Sequence, residues 1–202
     1  MEETNIQKLA DAILGRIFVP LEASARHVHL TKEQSLSLFG TPLTPSRPLS
    51  QPGQFLAQQR LTLIGPKGRM EKVAVLGPER KEAQVELSLT DARYLGITPP
   101  IRESGDVKGS PGIILEGPNG RIAIEQGVIA AQRHVHLTPE TAALFDVADK
   151  QTVSLQVYTQ RPVVFRDVLV RVRRDFAPAV HLDFDEANAC AMKPGDLGRI
   201  LP

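Results

Sequence analysis

A hexapeptide that occurs twice sets the strongest limit on what this chain can fold into. Ser24-Ala-Arg-His-Val-His-Leu-Thr31 aligns with Ala131-Gln-Arg-His-Val-His-Leu-Thr138, sharing Arg-His-Val-His-Leu-Thr at an offset of 107 positions, from His27 to His134. A second pair, Val85-Glu-Leu-Ser-Leu-Thr-Asp-Ala92 and Val180-His-Leu-Asp-Phe-Asp-Glu-Ala187, is offset by 95 positions, from Glu86 to His181. The chain is therefore a tandem repeat in which Glu86 and His181 are equivalent. Its first copy is 12 residues longer between the motifs (107 less 95). Gly40 to Phe55, punctuated by Pro42, Pro45, Pro48, Pro52 and Gly53, is the expected place for that excess. Such a stretch suits a long loop rather than a helix or a central strand.

Elsewhere the sequence consists of short apolar or alternating runs rich in Val, Ile and Leu, such as Arg60–Ile64, Lys72–Leu76, Thr152–Val157 and Val168–Val172. These read as strands. Gly65-Pro-Lys-Gly68 and Gly117-Pro-Asn-Gly120 fall between such runs as hairpin turns. Helices are expected over Asn5–Phe18, with its apolar stripe, and in short pieces opened by Thr31 and Thr138. Those two carry Glu33 and Glu140 in their first turns and Pro139 at a first helical position. The expected fold is mainly β: two pseudo-repeated small antiparallel β-barrel units with short capping helices, because closure removes exposed strand edges. A two-sheet sandwich is the alternative. The expected division is an N-terminal helix over 1–21, a first barrel over 22–97, a connecting loop with a substrate-binding motif over 98–112 and a second barrel over 113–202, with strand exchange between the units allowed.

Charge and composition remove several functions. Lys and Arg number 24 against 23 Asp and Glu, interspersed, so no field is strong enough to hold nucleic acid or an anionic membrane without specificity. Neither is an expected partner. Cys190 is the only cysteine, which excludes an internal disulfide and makes a reducing, cytoplasmic setting the expectation. No apolar run approaches the roughly 20 residues that span a bilayer, and the N-terminus lacks a secretory signal pattern.

The histidines carry most of the chemistry. Of five in the chain, four form the two His-Val-His tripeptides and the fifth, His181, lies in the other repeated motif. Residues two apart on a strand project from one face, so His27 and His29 can converge on one ion, as can His134 and His136. The repeat supplies a third donor in each copy. His27, His29 and Glu86 form one candidate set, and His134, His136 and His181 the other. Imidazole nitrogen with at most one carboxylate suits Zn²⁺, and three protein ligands leave positions for water or substrate, which is a catalytic pattern. Two zinc ions per chain follow.

Other polar residues are assigned more modestly. Arg26 and Arg133 precede the histidines and should face the opposite side of each strand, as anchors. Asp183 shares the face of His181 and could orient it. Cys190 reads as a small buried residue. Leu76–Arg80 and Ile101–Gly112 are Gly- and Pro-containing loops that present Arg80, Arg102 and Lys108, residue types that hold phosphate by charge-assisted hydrogen bonds. They form neither a Walker loop nor a dinucleotide fingerprint, and no serine-hydrolase elbow occurs.

Together these motifs resemble a known family. Ser24-Ala-Arg-His-Val-His-Leu, Gly77-Pro-x-Arg80 with Gln84-Val-Glu86 and Thr90-Asp91, Arg102-x-Ser-Gly105 with Gly109-Ser-Pro-Gly112, Gln132–Thr138 and His181-Leu-Asp-x-Asp-Glu-Ala-Asn-Ala189 are similar to the phosphate propanoyltransferase (PduL-type phosphotransacylase) family, from about Val19 to the C-terminus. The resemblance implies two β-barrel units, a pair of zinc ions and reversible transfer of a short acyl group, propanoyl or acetyl, between coenzyme A and inorganic phosphate. It implies the same two ligand sets, with Arg80 meeting phosphate as the catalytic cation and Arg102 and Ser110 as further substrate-binding residues. Some members act inside bacterial microcompartments through an N-terminal helix. Microcompartment cargo or shell proteins, and a second copy of the chain, are thus candidate partners. The short Val19-Pro-Leu21 connection favours a helix packed on its own barrel instead. Two other functions use the same residues: a metal-dependent acyl-CoA hydrolase, with water in place of phosphate, and a non-catalytic metal-binding module.

Overall fold

The computed structural model describes residues 14, 15 and 17–201. The helix expected over Asn5–Phe18 therefore lies almost wholly outside the described residues, together with any packing or targeting role for it. From Val19 the chain forms β1 (Val19–Ser24), β2 (His27–His29), α1 (Lys32–Phe39), β3 (Pro45–Pro48), β4 (Phe55–Ile64), β5 (Arg69–Gly77), β6 (Gln84–Glu86), α2 (Leu89–Leu95), β7 (Ile101–Arg102), β8 (Ile113–Gly117), β9 (Gly120–Ile124) and β10 (Val128–Ala131). It continues through β11 (His134–Leu137), α3 (Pro139–Leu144), β12 (Thr152–Tyr158), β13 (Val164–Val172), β14 (Ala179–Asp183), α4 (Phe184–Ala189) and β15 (Leu197–Leu201). The fold is mainly β, and none of the described helices is long and apolar enough to cross a membrane.

Two units emerge. The first comprises Ala25–Gln132 with Asp183–Asp185; the second comprises the chain up to Ser24, Arg133–Leu182 and the chain from Glu186. In the second, β1-β14-β11-β13-β12-β15 closes into a barrel. Its interior is filled by Val19, Leu21, Val135, Leu137, Val153, Leu155, Val157, Val170, Val180 and Leu182, which alternate with outward residues along their strands. The N-terminal strand β1 thus completes the barrel of the C-terminal half.

The first unit holds a nine-stranded sheet, ordered β7-β10-β6-β2-β5-β4-β8-β9 with β3 on β4, that curls without closing. Closure was expected of both units and occurs in one. The unit boundary also falls after Gln132 rather than at 112, because β8 pairs with β4 and β10 with β6. Glycines and prolines over 98–112 mark a loop in the sequence, but only pairing assigns the strands that follow it. Gly40–Phe55 is a loop with one correction: Pro45–Pro48 forms an exposed edge strand on β4, a place where proline costs no ladder bond that another strand needs.

Both expected hairpin turns are present, joining β4 to β5 and β8 to β9. Their first glycines are fixed by close approach to a helix. A Cβ on Gly65 would run into the Leu95 carbonyl oxygen, and one on Gly117 would meet that of Leu38 at 2.6 Å. Thr31 and Thr138 cap α1 and α3 as the sequence indicates, each accepting from the third residue of its helix in a capping box. Helices α2 and α4, after β6 and β14, were not anticipated; Ser88 caps the former by accepting from the Asp91 amide.

Leu155 is fully buried in the barrel whereas Val164 is half exposed. Leu155→Ala is expected to destabilise the protein by about 2–5 kcal/mol, and Val164→Ala by about 0.5 kcal/mol or less, measured by urea unfolding.

Candidate metal centre

The histidine strands sit identically in their sheets. β2 pairs antiparallel with β6 and parallel with β5, and β11 pairs antiparallel with β14 and parallel with β13. In that register His27 lies opposite Glu86 and His29 opposite Gln84, while His134 lies opposite His181 and His136 opposite Ala179. Directly opposed residues keep their Cβ atoms about 4.5–5.5 Å apart on one face. The equivalence of Glu86 and His181 read from the repeat is thus a pairing register. Val28 and Val135 turn to the other face and are buried in the apolar core of their units.

Each unit therefore gathers three donors. The donor atoms of His27, His29 and Glu86 lie within 4.8 Å of one another, and so do those of His134, His136 and His181. Tetrahedral zinc with bonds of about 2.1 Å holds its donors roughly 3.4 Å apart, so small side-chain adjustments suffice. The rings of His27 and His29 are 5.0 Å apart, and those of the second group 4.7 to 5.1 Å. All but His181 are less than one-tenth exposed.

The polar bookkeeping of the described residues fits a cation. His29 Nδ1, His136 Nδ1 and His181 Nε2 are buried with no hydrogen-bond partner, an arrangement that costs free energy unless something else satisfies the lone pairs. His27 Nδ1 lies 2.8 Å from the Ala25 carbonyl, which can only accept, so the other nitrogen, Nε2, is left bare and faces Glu86 Oε1 at 3.6 Å. Burial by itself would raise the Glu86 carboxyl, but His27 and the Ser104 hydroxyl hold it well below the usual carboxylate range. Burial likewise lowers His27, yet Glu86 outweighs it and leaves the imidazole raised. Burial and the neighbouring His27 and Arg80 keep His29 well below its ordinary value. Burial and the other two imidazoles, with Arg171 and Arg173 beyond them, push His136 down to about 2.

The remaining candidates fall into distinct places. Ser104 donates to Glu86 at 2.9 Å, accepts from Gln84 at 2.8 Å and stands 3.5 Å from Arg80 Nη1. Arg80 is thus one hydroxyl away from Glu86, with its backbone anchored on the Leu30 carbonyl at 2.8 Å. Arg102 donates to the Lys108 carbonyl and approaches Asp106 at 3.3 Å, bracing its own loop. Ser110, expected to bind substrate, is buried; its hydroxyl donates to the Val107 carbonyl and accepts from the Gly127 amide. Arg26 and Arg133 do anchor: Arg26 meets Asp91 at 2.6 Å and Arg133 meets Glu186 at 2.7 Å, partners that are themselves 95 positions apart. Sequence reasoning did not single out Gln84, Ser104, Arg171 or Phe176. The first two lie in motifs it quoted, but nothing local shows that Phe176 stacks 4.1 Å from His136.

The family model described as phosphate propanoyltransferase matches residues 20–193. The chain is 50% identical over 211 residues, all of both chains, to the phosphate propanoyltransferase of Alkaliphilus metalliredigens. It is 52% identical to that of Thermotoga maritima, covering 88% of this chain and 86% of the relative. To that of Clostridioides difficile it is 42% identical, covering 98% of each.

Without metal, the sign of the pH dependence is fixed by the imidazoles. His29 and His136 stay neutral when folded but take up protons on unfolding below about 6.5, so their contribution to stability falls as pH drops. His27, raised, works the other way, and Glu86, depressed, loses its contribution only below the usual carboxylate range. The urea midpoint of chelator-treated protein is expected to fall from pH 7 to pH 5, and to fall less in His136→Gln.

Proposed function

Because the chain belongs to the phosphate propanoyltransferase family, a family of acyltransferases, we propose that it moves a short acyl group reversibly between coenzyme A and inorganic phosphate, with one zinc ion held by His27, His29 and Glu86 and a second by His134, His136 and His181. The observation that carries the reading is the first unit's buried His27, His29 and Glu86 triad joined to Arg80 through one serine hydroxyl. It unites metal donors and a phosphate-binding cation in a single network.

In the forward direction a phosphate oxygen attacks the thioester carbonyl carbon, the carbon–sulfur bond breaks, and coenzyme A leaves as the thiolate. Negative charge builds first on the carbonyl oxygen and then on sulfur. Zinc, when bound, supplies Lewis acidity toward both. Arg80 holds phosphate by charge-assisted hydrogen bonds and turns an oxygen toward the carbonyl. Ser104 and Gln84 fix the Glu86 carboxylate, and the Ala25 carbonyl fixes the His27 tautomer, so the donor set is organised before substrate arrives. Arg102 and Ser110 shape the loop beside this network rather than offering idle side chains. Propanoyl-CoA and acetyl-CoA are the substrates assigned.

Thiol release from both thioesters is expected to require phosphate and to stop with chelator; release that ignores phosphate identifies a hydrolase instead. Arg80→Ala is expected to raise the KM for phosphate at least about tenfold, the scale of one lost charge-assisted bond, with metal content unchanged. Unaltered phosphate kinetics remove Arg80 from the site.

A further inference from the structure

The Ser104 hydroxyl has one proton to give, and its neighbours decide where that proton points. The Gly105 amide donates to Gln84 Oε1 at 2.8 Å, which turns the Gln84 amide nitrogen toward Ser104 Oγ, 2.8 Å away. A guanidinium can only donate, and Arg80 Nη1 stands 3.5 Å from the same oxygen. Both neighbours therefore leave the hydroxyl proton to Glu86 Oε1, at 2.9 Å. Resting on the reading that Arg80 holds inorganic phosphate, we propose that Ser104 is a second phosphate-binding residue, which turns this one hydrogen bond from Glu86 to a phosphate oxygen.

Three observations carry this. The bond to Glu86 is long, since hydroxyls bonded to a carboxylate ordinarily lie at about 2.5–2.7 Å, and Gln84 donates to the same carboxylate oxygen. Glu86 Oε1 thus keeps a donor when Ser104 turns away, and no buried acceptor is orphaned. The contact from Arg80 exceeds the ordinary limit of about 3.2 Å, so exchanging it for a phosphate oxygen forfeits little. Ser104 is also partly exposed, whereas Gln84 and Glu86 behind it are buried, and an anion can reach it. With phosphate in place, guanidinium and hydroxyl both donate to the one tetrahedral anion. Two donors in fixed positions set its orientation, where the guanidinium alone leaves it free to turn. No proton changes owner, because the hydroxyl only changes acceptor.

The test compares S104A with the wild type in four measurements. These are the KM for phosphate in thiol release, the KM for coenzyme A in the reverse reaction, the affinity for inorganic phosphate titrated without thioester, and zinc affinity by competition with a chromophoric chelator. The bond from Gly105 to Gln84 pins the loop without the serine hydroxyl, so the variant should fold. Both phosphate constants are expected to weaken at least about tenfold, the scale of one lost bond to a charged group, with the KM for coenzyme A unchanged. Zinc affinity should fall by less than the roughly tenfold that losing an outer partner of a ligand costs, because Gln84 still holds Glu86. The proposal is overturned if S104A binds phosphate as the wild type does, which leaves Ser104 a brace for Glu86 alone. It is equally overturned if the KM for coenzyme A rises by the same factor, or if zinc affinity does the falling in step with phosphate affinity. Wild-type thiol release that ignores phosphate overturns the functional reading as well, which separates the two failures.

Discussion

The pairing register of a three-residue strand is the constraint from which the rest follows. β2 and β11 each place two imidazoles on one face and a valine on the other, and the antiparallel partner then decides which side chain joins them. A slip of one residue would send the histidines into the apolar core and bring Val28 or Val135 to the polar face. Register is held against such slips by the buried valines, by the parallel strand on the far side, and by the ion pairs of Arg26 with Asp91 and Arg133 with Glu186. Those pairs tie the residue before each histidine strand to the helix that follows its partner strand. The duplicated anchor is as much a part of the motif as the imidazoles.

The two groups share a backbone plan and differ electrically. In the first unit a carboxylate, an amide, a hydroxyl and a guanidinium form one network around Glu86, so its charge is compensated inside the unit. In the second, three imidazoles crowd together with a phenyl ring against one of them and two arginines over that ring. Protonating His136 there is unfavourable, and neutral imidazole is the form that can donate a lone pair to a cation. Burial, usually a liability for polar groups, here keeps His136 in its ligating state.

Much of this was legible in the chain. Four of five histidines within repeated tripeptides, and the fifth in a repeated motif, identify both donor groups, because strand alternation is a strict period of two and duplication carries the third position with it. Thr31 and Thr138 reveal their helices because capping is local chemistry. Short α2 and α4 are harder to read: α2 has a cap of the same kind in Ser88, but neither helix has an apolar stripe to go with it. Their lengths, 7 and 6 residues, are too small for a helical stripe to stand out, and tertiary packing rather than periodicity stabilises them.

Residue order by itself determined the duplication, the strand content, the two donor sets and the anchoring arginines, since each depends on spacing along one strand or on equivalence between copies. Only the tertiary structure decided that one sheet closes while the other curls open, that β1 serves the C-terminal barrel, and that Ser110 braces a loop. It alone brought Ser104 between Arg80 and Glu86. These are outcomes of pairing between segments far apart in the chain, and hydrogen-bonded edges and side-chain directions are fixed by which strands meet, which no local pattern encodes.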